Sequence, residues 1–112
     1  MQMNEIKQGI DRVEECADDA ERAIQAGSVS GELRQSVDAM HRQARQAQQE
    51  CSSQQQQGDP SRLREAVNQL EQAGDRAMQA CRNAGQVDRQ VQQAVQRAHQ
   101  EASKLKKQIQ MG

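Results

Sequence analysis

The chain of 112 residues contains no phenylalanine, tyrosine or tryptophan and only one proline. Without aromatic rings, a core must be built from Ala, Val, Leu, Ile and Met, which bury less apolar area per side chain than an aromatic residue does. Long apolar runs are also missing, because no window approaches the roughly 18 apolar residues that indicate a transmembrane helix. We therefore expect no membrane span.

The chain also has no excess of either charge, because its 15 basic and 16 acidic residues give a net charge of −1. A nucleic-acid partner is not expected, because such binding is typical of strongly basic domains. Cys16, Cys51 and Cys81 form an odd number at scattered spacings. The first residues lack the basic start and apolar run of a secretory signal. The sequence therefore predicts a cytoplasmic protein with reduced thiols.

What the sequence does contain is helix-forming residues with regularly spaced apolar positions. In the first quarter of the chain these positions alternate at spacings of three and four, which is a heptad seam. They are Met3, Ile6, Ile10, Val13, Ala17, Ala20 and Ile24. Comparable seams run from Leu33 to Cys51, from Leu63 to Ala84 and from Val91 to Ile109. The pattern predicts four helices, over residues 4–26, 31–53, 60–83 and 88–110.

Residues typical of helix ends separate the first three seams. Gly27 suits the left-handed position after a helix, Ser30 is a favoured N-cap, and Val29 can pack back on the first turn of helix 2. Residues 54–59, which include a glutamine tract, are predicted to be a linker. Asp59 followed by Pro60 then predicts the start of helix 3.

The boundary between helices 3 and 4 admits two interpretations. The seam of helix 3 continues in phase to Ile109 with a single defect at Asp88, so one helix of about 50 residues in an elongated coiled coil is the alternative. A turn is favoured because Gly85 is a typical stop residue and Asp88 a typical N-cap.

The sequence also indicates an internal repeat. Residues 21–26 read ERAIQA and residues 75–80 read DRAMQA, while Val, His and Ala recur at matching places in residues 37–44 and 95–102. The chain is thus predicted to be a duplicated helical hairpin in a single domain, residues 1–112. The expected fold is all-α, an antiparallel up-down-up-down four-helix bundle.

His41 and His99 are the candidate metal ligands, because they occupy matching positions in the two halves. Asp38 precedes His41 by three residues, and Glu-x-x-His pairs of this spacing hold metals in di-iron bundles. Glu14 or Glu15 is expected at the height of His41. However, helix 4 has Gln96 in place of the second acid, and both histidines lie one position beside the seams. We therefore predict surface or boundary histidines, with no metal site, no cofactor and no catalytic residue.

The remaining polar and thiol groups also have structural interpretations. Cys51 and Cys81 lie on seams, where a free cysteine acts as a small hydrophobe. Cys16 lies beside its seam, and pairing of helices 1 and 2 would bring it near the level of His41. The acidic residues of helix 1 are predicted to face solvent; they are Glu14, Glu15, Asp18, Asp19 and Glu21. Lys104, Lys106 and Lys107 suit the C-terminal end of helix 4.

Three functional hypotheses follow. The first is a non-enzymatic bundle that acts by helix-to-helix contact with a protein partner or with itself, as a sustained seam without a convergent polar site indicates. The second is a small metal-binding or redox protein that uses His41 and His99 with nearby acids or thiols. The third, a dimeric spacer, requires helices 3 and 4 to be continuous.

Overall fold

Four helices make up a computed structural model that describes residues 3–26, 30–57, 60–85 and 87–111. They are α1 (Met3–Ala26), α2 (Gly31–Gln57), α3 (Pro60–Asn83) and α4 (Arg89–Met111). No strand occurs within these ranges. The predicted all-α four-helix fold is confirmed. The Cα radius of gyration is 13.8 Å, about that expected for a folded chain of this length.

Each helix packs against two others, so the four form a closed arrangement. α1 contacts α2 and α4, and α3 contacts the same two helices. Side-chain contacts show the direction of each helix relative to its neighbour. Asp11 contacts Gln48 and Glu21 contacts His41, so later residues of α1 pair with earlier residues of α2, and the two helices are antiparallel. Lys106 meets Glu71 and His99 lies near Asp75, which makes α3 and α4 antiparallel in the same way. We refer to α1 with α2 as the first hairpin and to α3 with α4 as the second.

The apolar positions predicted from the spacing form one continuous core from Ile6 to Ile109, except that Ala84 is half-buried and outside it. The side chain of Met3 lies outside the described residues. The core contains Ile and Val in α1, Leu33 and Met40 in α2, Leu63 and Leu70 in α3, and Leu105 and Ile109 in α4. Much of the remainder is alanine, which lets helices approach closely. Burial of these residues is what the structure shows, whereas the heptad register and the internal repeat stay predictions.

The connection between α3 and α4 is a turn, and the continuous helix is wrong. Gly85 has a φ of +77°, a left-handed backbone conformation that is unfavourable for residues with a Cβ atom. Its amide bonds to the carbonyl of Arg82 at 3.4 Å, which tightens the last turn of α3. Asp88 then caps α4, because its carboxylate accepts a hydrogen bond from the amide of Gln90 at 2.9 Å. Asp88, the one residue that breaks the apolar seam between helices 3 and 4, is therefore the N-cap at the start of α4.

The predicted boundary of α2 is wrong at its C-terminal end. The helix continues to Gln57, so the glutamine tract assigned to a linker over residues 54–59 belongs largely to the helix. Glutamine is a good helix former, and no stop residue precedes Gly58. At the other end, the Ser30 hydroxyl accepts a hydrogen bond from the amide of Leu33 at 3.2 Å, as its predicted N-cap role requires. The predictions for Gly27, Val29 and Asp59 lie outside the described residues.

Across the described part of the chain, no helix combines the length and the apolar character that crossing a membrane requires.

Candidate functional site

His41 is the site where the structure concentrates ionisable groups. The residue is 6% exposed, and it is the one buried polar residue among the side chains that the structure describes. It follows Met40, whose side chain points into the core, so the imidazole lies at the side of α2 that faces α1. The prediction of a surface or boundary position is therefore wrong for His41, because α1 covers the flank of the stripe on which it lies.

Both nitrogens of the His41 ring meet carboxylates of α1. Nδ1 lies 3.0 Å from Oε2 of Glu21, and Nε2 lies 3.3 Å from Oε1 of Glu14. Oδ1 of Asp18 is 3.8 Å from Nε2. A neutral imidazole has one N–H and one acceptor nitrogen, whereas the imidazolium has two N–H groups. A ring with an N–H at each nitrogen can therefore donate towards Glu21 and Glu14 together.

The surroundings of Glu21 change the acidity of its carboxyl group. Burial raises the pKa of the Glu21 carboxyl above its ordinary value, and a hydrogen bond with Asp38 raises it further. The charge of His41 acts in the opposite direction and favours the carboxylate. The cluster thus joins α1 to α2 through several charged and hydrogen-bonding side chains rather than through a single ion pair.

Arginines at the rim neutralise part of this negative charge. Arg22 pairs with Asp18 at 3.1 Å, and Arg42 pairs with Asp38 at 3.2 Å. Asp38 therefore approaches Arg42 and Glu21, and His41 takes its acids from the other helix. The metal-binding alternative, in which Asp38 and His41 would act as one ligand pair, is not supported by these contacts. The solvent-facing assignment of the acidic residues is also wrong for Glu14, Asp18 and Glu21, which are half-buried.

His99 has a similar but weaker environment in the second hairpin. Its Nε2 lies 3.9 Å from Oδ1 of Asp75, and its side chain is 26% exposed. α3 and α4 approach closely here, since a Cβ added to Gly74 would lie 3.4 Å from the Cα of His99. In the alignment that indicates a repeat, His99 corresponds to His41 and Asp75 corresponds to Glu21. Each hairpin thus has a histidine of its second helix near a carboxylate of its first.

The two histidines are not brought together to share a ligand. His41 contacts acids of α1, whereas His99 contacts an acid of α3. Within the residues that the structure describes, no group of three or more His, Cys, Asp and Glu side chains is arranged to hold a metal ion. What the contacts at His41 provide is attachment of α1 to α2 through hydrogen bonds and charge.

Cys16 lies at the predicted level of His41, because it stands between Glu14 and Asp18 along α1. Its side chain is on the opposite side of α1, in an open groove that α1 forms with α4 beside Asp19, Gln93 and Arg97. Burial, followed by the negative charge of Asp19, raises the pKa of its thiol, which makes it a weaker nucleophile near neutral pH. Burial raises the pKa of the Cys51 and Cys81 thiols in the same direction, in agreement with a packing role.

Sequence reasoning placed Glu14 correctly at the height of His41 but did not identify Asp18 and Glu21 as its other neighbours. The signal was present, because positions 14, 18 and 21 have the same spacing of four and three as the apolar stripe and lie one position from it. Such a second, acidic stripe opposite a lone histidine indicates a polar contact between helices. Comparison of the chain with protein-family models, with curated proteins and with solved structures gives no match, so its function is argued from the site and the surface.

Proposed function

We propose that this is a non-enzymatic helical-bundle protein that acts through contact of its outer helix surfaces with a protein partner or with another copy of itself. The observation that carries the proposal is the distribution of charge. α1 has seven acidic and three basic residues, whereas α4 has one acidic and five basic residues. The net charge of the whole chain is therefore near zero although α1 is acidic and α4 is basic.

Charge is the surface property that distinguishes one side of the bundle from another. The apolar stripes of all four helices are used in the core, and the partly buried apolar residues packed against it are Cys16, Ala23, Met78 and Val87. Among the described residues, the outer surfaces of the helices are therefore mainly polar, and a contact between two molecules through them would use mainly polar side chains. Complementary charge gives such contacts their rate of association and their orientation, more than their affinity.

The cytoplasm is part of the same proposal, because three free thiols are in keeping with a reducing compartment. A metal-binding or redox function is a poorer fit, since His41 is already occupied by Glu14 and Glu21 and lies in a different hairpin from His99. The spacer hypothesis falls with the continuous helix on which it depended.

Binding to charged probes tests the proposal. We expect the intact protein to associate in a saturable manner with itself, with polylysine or with polyglutamate at about 50 mM salt, and to lose that association near 1 M salt, where the Debye length falls to about 3 Å. Light scattering measures self-association, and fluorescence anisotropy of labelled probes measures binding. A protein that stays monomeric at all concentrations and binds neither probe would overturn the proposal.

A further inference from the structure

Resting on the proposed function, we infer that the partner is a second copy of this chain, docked with its second hairpin against the outer side of the first hairpin. The two hairpins have opposite charge. Residues 3–57 contain ten acidic and six basic residues, and residues 60–111 contain five acidic and nine basic residues. With neutral histidines, the first hairpin therefore has a net charge of −4 and the second a net charge of +4.

The charges of the second hairpin are available for contact. Eight of its nine basic residues are exposed, and the ninth, Lys106, is half-buried and pairs with Glu71 at 3.6 Å. Arg64 and Arg76 lie in the interior of α3 and are among the exposed ones. These exposed positive charges attract an acidic helical surface.

The first hairpin of another copy provides such a surface. Glu15 and Asp19 are one helical turn apart on α1, and both are exposed. They lie on the side of α1 away from its buried positions Val13, Ala17 and Ala20. The half-buried acids around His41 add to the negative potential of the same hairpin. Another copy of the chain offers both an acidic and a basic hairpin, so it complements both charged surfaces. An unrelated partner with charge of a single sign would complement only one of them.

The contact we propose joins two different surfaces, so it is heterologous. Each molecule that docks through one hairpin leaves its other hairpin free, and association continues into rings or open chains of molecules. A two-fold contact of one hairpin with the same hairpin of the other copy would instead place like charges opposite each other. The growth pattern therefore distinguishes the proposed contact from an ordinary symmetric dimer.

Two charge-reversal variants test this contact. Glu15→Lys with Asp19→Lys brings the first hairpin from −4 to zero, and Arg64→Glu with Arg76→Glu brings the second from +4 to zero. Neither variant retains two complementary surfaces, so we expect each alone to stay at the monomer mass of 12.5 kDa at about 50 mM salt. Mixed in equal amounts, they still have one intact surface each, and should form a 1:1 complex of twice that mass that grows no further.

The wild-type protein should form assemblies larger than a dimer under the same conditions and revert to the monomer near 1 M salt. The charge-conserving variants Glu15→Asp with Asp19→Glu, and Arg64→Lys with Arg76→Lys, serve as matched controls and should assemble like the wild type. Circular dichroism on every variant verifies that the helices are retained. Sedimentation velocity measures the assemblies.

The results distinguish docking between two copies of the chain from the broader proposal of an interaction function. A wild-type protein that remains monomeric, or reversal variants that assemble like the wild type, would overturn docking between copies. If the monomer nevertheless binds polylysine or polyglutamate in a salt-dependent manner, the proposed interaction function stands with another partner. If it binds neither probe, both proposals fail. A wild-type dimer that does not grow would also refute the heterologous contact.

Discussion

Replacement of His41 by glutamine measures how much the buried imidazole contributes to the attachment of α1 to α2. His41 is 6% exposed, and its nitrogens lie 3.0 Å from Glu21 and 3.3 Å from Glu14. A hydrogen bond to a charged group contributes about 1.5–3 kcal/mol to folding stability. The two carboxylate side chains are 24% and 21% exposed, so solvent lowers both contributions. We expect His41→Gln to lower the free energy of unfolding by about 2 kcal/mol near pH 6.

His99→Gln is the matched control, because it makes the same change at the corresponding position of the second hairpin. The contact of His99 is 3.9 Å long, and the side chain of Asp75 is 56% exposed. Exposed ion pairs contribute about 0–1 kcal/mol, so the loss should be below about 0.5 kcal/mol. Urea unfolding followed by circular dichroism gives both values. Equal losses in the two variants would refute the argument that burial and the second carboxylate make His41 different.

Three further changes test other parts of the structure. The raised pKa of Glu21 means that the folded state binds its proton more tightly than the unfolded state, so the contribution of Glu21 to stability should fall as the pH rises from about 4.3 towards neutrality. The difference in stability between the wild type and Glu21→Gln should therefore fall over this range, and equal slopes in the two proteins would count against it. Gly85→Ala should cost about 1 kcal/mol in urea unfolding because φ is +77°, whereas Gly31→Ala, with open space at its Cβ, should cost nothing. Asp88→Leu removes the N-cap of α4 and should also cost about 1 kcal/mol, and a gain in stability would instead favour a continuous helix.

The sequence was sufficient to predict the helices because local signals and the apolar pattern agree. Ser30 and Asp88 start helices as their N-cap character predicts, and Gly85 ends α3 with the positive φ that glycine permits. The end of α2 was misplaced because a run of glutamines forms helix as readily as it forms a linker, and composition alone does not distinguish the two.

The candidate site could be predicted only in part, because it depends on the rotation of one helix about its axis relative to the next. A position one residue from the apolar stripe is buried or exposed according to which neighbouring helix covers that flank. α1 covers His41, while His99 on α4 keeps a partly open side chain. The same rotation turns Cys16 towards α4 and away from His41. Spacing within one helix does not specify this angle, which results from packing of all four helices.

The closed arrangement of the helices has a consequence for how the chain can be rearranged. α1 packs against α4 with Gly9 facing Leu105, and Glu5 and Gln108 line one groove, so residues near position 3 lie close to residues near position 111. A short peptide can therefore join these two ends while the chain is opened at residues 58–59. Such a circular permutant would begin with the second hairpin and finish with the first, and every helix would keep both of its neighbours. We therefore expect the same bundle to form whichever hairpin comes first along the chain.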